Sequence, residues 1–171
     1  MPHYDLTWPE GFDPEIGVLV GTLQDSNREW RENLENPVAD AMVWQPYPDG
    51  PSIGGVLLHM AAAERYWLQL NAEGIKMDPA DPALEYDGRM DQNIPLWPTP
   101  PTQPIEWYLG VLDQTRQEMI ILIYAHSDPA STHTTRWETV TYRWILAHVA
   151  EHDSYHGGQA VLLHEMYKKT H

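Results

Sequence analysis

At 171 residues the chain has room for one domain with a real hydrophobic core, and two independent domains are not expected. Its 10 Lys+Arg against 25 Asp+Glu give a formal charge of −15, which repels phosphate backbones and anionic lipid and argues against nucleic acid or a membrane surface as a partner. There is no cysteine, so there is neither a disulfide framework nor a thiolate site, and any metal must be held by His, Asp, Glu or water.

The N-terminus, Met1 to Asp5, lacks the basic and apolar stretches of a signal peptide, and the longest apolar run, Met119 to Ala125, is too short to span a bilayer. Cytoplasm is the expected location. A first helix is predicted from Asp13-Pro14-Glu15, an N-cap followed by proline at the first helical position, with Ile16, Leu19, Val20, Leu23, Trp30 and Leu34 on one stripe. Asn36-Pro37 ends it, and a turn-rich connection follows with room for a short helical piece around Val38 to Met42. Ser52 then caps helix two, whose inward face reads Ile53, Val56, Leu57, Met60, Ala63, Trp67 and Leu70, with His59 on the same side.

From Asp78 to Pro104 the chain carries seven of its fifteen prolines, so a long loop without helix or central strand is predicted there, of the kind that serves as a lid or binding loop. Helix three runs from Ile105 to the Ser127-Asp128-Pro129 stop, and a polar, Thr-rich stretch from Ala130 to Glu138 follows. Helix four starts near Thr139 or Thr141 and continues to about Lys168. With no convincing alternating strand, the prediction is an all-α four-helix bundle spanning residues 1–171 as one domain. Eight Trp and nine Tyr against one Phe suit a polar-lined cavity as well as ordinary core filling.

The chemistry concentrates in His148-Val-Ala-Glu-His152-Asp-Ser-Tyr-His156-Gly-Gly-Gln159. Two imidazoles four residues apart on a helix are offset by about 40° and about 6 Å, so both can reach one ion, whereas His148 and His156 are about 12 Å apart along the axis and cannot share one. One adjacent pair therefore supplies two ligands. His59, inward-facing on another helix, is the natural third, because bundles build metal centres between facing helices. His148 reads as a buried, hydrogen-bonded histidine, as support for the site, or as an alternative ligand paired with His152. Gln159 reads as a partner for His156 or a packing residue, and Glu64 and Glu151 as bases or solvent-facing groups. His3, His126, His133, His164 and His171 read as surface residues.

These segments carry a family resemblance. Trp44-Gln-Pro followed by Ser52-Ile53-Gly54 leads to His59, and His152-x3-His156-x-Gly158-Gln159 matches a His-x3-His-x-Gly-Gln ending. On these two segments the chain resembles the DinB/YfiT-like superfamily of metalloenzymes. The resemblance implies a DinB-like bundle of up-down-down-up order and a three-histidine metal site whose ligands correspond to His59, His152 and His156. The family commonly has a basic residue after the last ligand, where this chain has Gly157.

Three neutral imidazoles leave an ion its full charge and an open position, as in catalytic zinc sites. Zinc or nickel suits such a shell best, with iron or manganese as further options. The resemblance implies a metal-dependent hydrolase or a thiol-dependent S-transferase acting on a small molecule with a low-molecular-weight thiol. The competing expectation is a non-catalytic module in which the metal staples helices two and four. A lower one is an unmetallated bundle holding an apolar ligand among its tryptophans. An exposed helix face could support a homodimer. If the site is catalytic, its open position should face a cavity walled by Trp67 and Trp144 and covered by Asp78 to Pro104.

Overall fold

A computed structural model describes residues 4–90, 96–126, 128–135 and 138–171. The chain is overwhelmingly helical. Helix α1 covers Pro14–Leu34, capped by Asp13, whose carboxylate accepts from the Glu15 and Ile16 amides. It ends at Glu35, which takes a left-handed backbone (φ 59°) ahead of Pro37. The short α2 (Ala39–Val43) lies where a helical piece was expected. Helix α3 (Ile53–Glu64) begins at Ser52, whose hydroxyl accepts from the Gly55 amide, and runs directly into a π-helical segment, Arg65–Ala72. Helix α5 (Ile105–Ala125) and the 29-residue α6 (Tyr142–Thr170) complete the long helices.

The structure differs from the sequence expectations in three places. A helix, α4 (Pro82–Asp87), interrupts the proline-rich stretch: proline at the first helical position loses no hydrogen bond, and Asp81 caps the turn through the Ala83 and Leu84 amides. Where no strand was expected, β1 (Thr132–Thr134) pairs antiparallel with β2 (Thr139–Thr141), and α6 follows from its cap Thr141, close to the expected start. Three-residue strands are too short for alternation to announce them. Burial along α3 and the π segment also departs from expectation. Glu64, Arg65 and Leu68 are buried while Ala63, Trp67 and Leu70 are half-buried: the latter three face a cavity, Glu64 and Leu68 face the interior, and Arg65 is covered by its ion pairs with Asp81 and Glu118.

The long helices meet in order: α1 lies on α6, α6 on α3, and α3 on α5. Two apolar clusters fill the space between them. One gathers Trp30, Leu34, Met42, Leu57, Leu112 and Leu163; the other gathers Val20, Leu23, Leu68, Met119, Ile145 and Val149. On every long helix, polar residues fall between the two clusters: Ser26 and Asn27 on α1, Glu64 on α3, Arg116 on α5, Asp153 on α6. They bond to one another. Arg116 grips Glu64 through both Nε and Nη2, and its Nη2 also reaches Asp153 at 2.9 Å. Asp153 accepts further from Trp30 Nε1 at 3.0 Å, Ser26 Oγ at 3.1 Å and Asn27 Nδ2 at 3.3 Å. No helix among the described residues is long and apolar enough to cross a membrane.

Candidate metal centre

His59 sits well inside α3, and His152 and His156 lie one turn apart on α6. The packing of α3 on α6 brings the three rings together, with centroid separations of 4.9, 4.9 and 4.2 Å. One nitrogen from each lies within 4.8 Å of the others, so these three side chains could hold a metal ion. His59 Nε2 and His152 Nε2 are 3.2 Å apart. Tetrahedral nitrogens about 2.0–2.1 Å from a common ion would be about 3.3 Å apart, so the donor set fits a first-row divalent metal.

The outward nitrogens of His59 and His156 are held. His59 Nδ1–H donates to Asp87 Oδ1 at 2.7 Å, and His156 Nδ1–H to Gln159 Oε1 at 2.7 Å. Fixing the proton on Nδ1 leaves the Nε2 lone pair free, and an anionic acceptor on the far side of the ring raises its basicity. Burial, reinforced by the His156, His59 and His148 rings, lowers His152 from its usual 6.5 to about 2. Burial and His59 lower His156 to about 4, with the Gln159 bond pulling the other way. Both rings are therefore neutral near pH 7, the state a metal accepts.

His148 is not part of this set. It lies flat on Trp144 (4.8 Å, 6°) with the edge of Trp67 against it, and it lines a cavity. Glu64 is buried in its pair with Arg116 and serves neither as a solvent-facing group nor as a free base; burial raises its pKa, and Arg116 opposes that rise. Glu151 is exposed. His164 is buried, contrary to expectation: its Nδ1–H donates to the Leu34 carbonyl and so satisfies a group left open at the end of α1. His126 and His133 are half-buried too, joined through Ser131 Oγ, and His126 also reaches Glu73. His171 is exposed, and His3 lies outside the described residues.

Two residues at the site went unnoticed in the sequence. Asp87 closes α4, and Trp97 packs edge-on to His59 (5.5 Å) and near His156 (6.3 Å). Both belong to the proline-rich stretch, which gave the only available signal. Trp97 is held by its amide to the Asp49 carbonyl, and its own carbonyl accepts from Gln45 Nε2. Gly157 finds its reason in α1, since a Cβ there would stand 2.2 Å from Trp30 Cδ1.

Beside His59 and His152 opens a cavity of about 750 Å³, bounded by Tyr66, Trp67, Leu84, Asp87, Glu138 and His148. Trp67 lines it directly, whereas Trp144 stands behind His148 and is 40 % exposed.

Residues 18–169 match the family described as mycothiol-S-transferase. The chain belongs to the mycothiol S-transferase family. That family lies within the DinB/YfiT-like metalloenzyme superfamily, and the matched range takes in all three histidines, Asp87 and Gln159. No curated protein matches the chain.

Proposed function

We propose that this chain is a cytoplasmic, metal-dependent thiol S-transferase, a single DinB-like domain over residues 1–171 whose four long helices form an up-down-down-up bundle. His59, His152 and His156 hold one divalent ion, zinc or nickel by the preference of imidazole donors. The observation that carries the reading is the convergence of three imidazoles from two helices, with a cavity beside them, in a chain of the mycothiol S-transferase family. When bound, the ion supplies Lewis acidity that makes a thiol ionise near neutral pH.

The chain's own residues do the rest. Asp87 and Gln159 fix the proton on Nδ1 of His59 and His156, so that Nε2 of each faces inward. Trp97 packs edge-on to His59 and near His156, and the cavity beside His59 and His152 offers a way in. The thiol gives up its proton and forms a sulfur–carbon bond to an electrophile, whose leaving group departs with the electron pair. A structural metal is normally closed by four protein ligands, and three histidines next to a cavity favour the transferase over the staple. The test is turnover of mycothiol and simpler low-molecular-weight thiols with alkylating electrophiles, in metal-loaded and metal-stripped protein. Thiol consumption that depends on the metal is expected; equal, background rates in the two forms would overturn the reading.

A further inference from the structure

The cavity beside His59 and His152 has a character of its own. Its volume of about 750 Å³ lies within the range that accommodates a drug-sized ligand. One wall is formed by Tyr66, Trp67 and His148: Trp67 meets Tyr66 edge-on at 5.3 Å and His148 at 5.0 Å, and Trp144, behind the wall, lies parallel to His148 and edge-on to Trp67. Rings braced against one another in this way have little conformational freedom left to lose on binding, and each can offer a face or an edge to a ligand. Ala62, Ala63, Leu70 and Leu84 extend that surface. The charged groups lining the cavity are carboxylates, Asp87 and Glu138, and among the described residues no Lys or Arg lines it. Asp87 is tied to His59, whereas Glu138 is exposed.

We propose that this cavity is the subsite for the electrophilic co-substrate, and that it selects an uncharged or cationic aromatic compound over an anionic one. Naming the ligand a co-substrate rests on the transferase reading above; the selection is a property of the cavity wall alone. A planar ring stacks on the Trp67 wall with its reactive carbon toward His59 and His152. A cationic substituent gains from the ring faces and from Glu138, and an anionic substituent is repelled.

The test compares three naphthalenes of matched shape: 1-naphthalenemethanol, (1-naphthylmethyl)trimethylammonium and 1-naphthalenesulfonate, the charged groups being poor metal ligands. Dissociation constants are read by ligand-observed NMR on metal-loaded and metal-stripped protein. The neutral and cationic probes should bind in both forms and the sulfonate about tenfold more weakly, a gap that Glu138→Gln narrows. Trp67→Leu should weaken the neutral probe by about tenfold, and Ala63→Leu, which fills the cavity without removing a ring, should weaken it as well. A sulfonate bound as tightly as the alcohol would overturn the proposal. So would unchanged binding in both variants, or displacement of the probe by glucosamine, which would assign the wall to a sugar-bearing thiol. Absent thiol turnover with this binding order intact would count against the transferase reading and leave the cavity's selectivity supported.

Discussion

His59 and His156 differ in what holds the second ring nitrogen, a carboxylate for the first and an amide oxygen for the second. His59→Ala, His152→Ala and His156→Ala should each lose metal after reconstitution, whereas His148→Ala, which stacks on Trp144 instead of joining the trio, should retain one ion per chain by elemental analysis. Asp87→Asn keeps the shape of the side chain but removes the charge that His59 Nδ1 faces at 2.7 Å, and metal affinity in chelator competition should fall about 10–100-fold. Gly157→Ala places a methyl group 2.2 Å from Trp30 Cδ1, in a ring whose Nε1 also donates to Asp153, so urea unfolding should show a loss of about 1–3 kcal/mol. His152-x3-His156 could be read directly from helical spacing, and His59 from its place on a core-facing stripe. Asp87, Trp97 and the reason for Gly157 could not. Each acts across 28 or more residues of chain, through packing that no local pattern encodes: Asp87 on His59, Trp97 on His59 and His156, and Trp30 on Gly157.

Among the elements, the polar layer sets the relation of the helices to one another. Arg116 from α5, Glu64 from α3 and Asp153 from α6 form a buried ion cluster, and α1 joins it through Ser26, Asn27 and Trp30. A one-turn slip of any helix would leave one of these groups buried without a partner. Arg116→Met should cost about 3–5 kcal/mol in urea unfolding, because two carboxylates would remain in the interior uncompensated. The long helices were legible because caps and apolar spacing agree at Asp13, Ser52 and the run after Thr141. The hairpin and α4 were not, since three strand residues carry no periodicity and a proline count alone does not distinguish a loop from a helix that starts on a proline. The cluster itself was obscured by its composition: Glu64 and Arg116 read as surface charges on any amphipathic helix until their partners are known.

For the whole molecule, the neutral state of the buried histidines ties folding to pH. In the unfolded chain His152 and His156 would take up protons near 6.5, whereas in the folded, metal-free protein they do so only at about 2 and about 4. Between those values the unfolded state binds more protons, so stability is full above about pH 6.5 and erodes as the pH falls below it. Urea midpoints of metal-stripped protein should therefore decline from pH 7.5 to pH 5, and a midpoint independent of pH over that interval would contradict the burial of these rings. The π-helical segment Arg65–Ala72 adds a kinetic dimension. It supplies Tyr66, Trp67, Leu70 and Asn71 to the cavity, and its backbone carries the wider, less favourable hydrogen-bond spacing of a π-helix. Its amide protons should exchange with deuterated solvent sooner than those of Ile53–Glu64 in the same continuous helix, and should slow when a ligand fills the cavity. The part of the wall built by this segment would then be the part of the scaffold able to breathe, and occupancy would be readable as protection strongest over its eight consecutive residues.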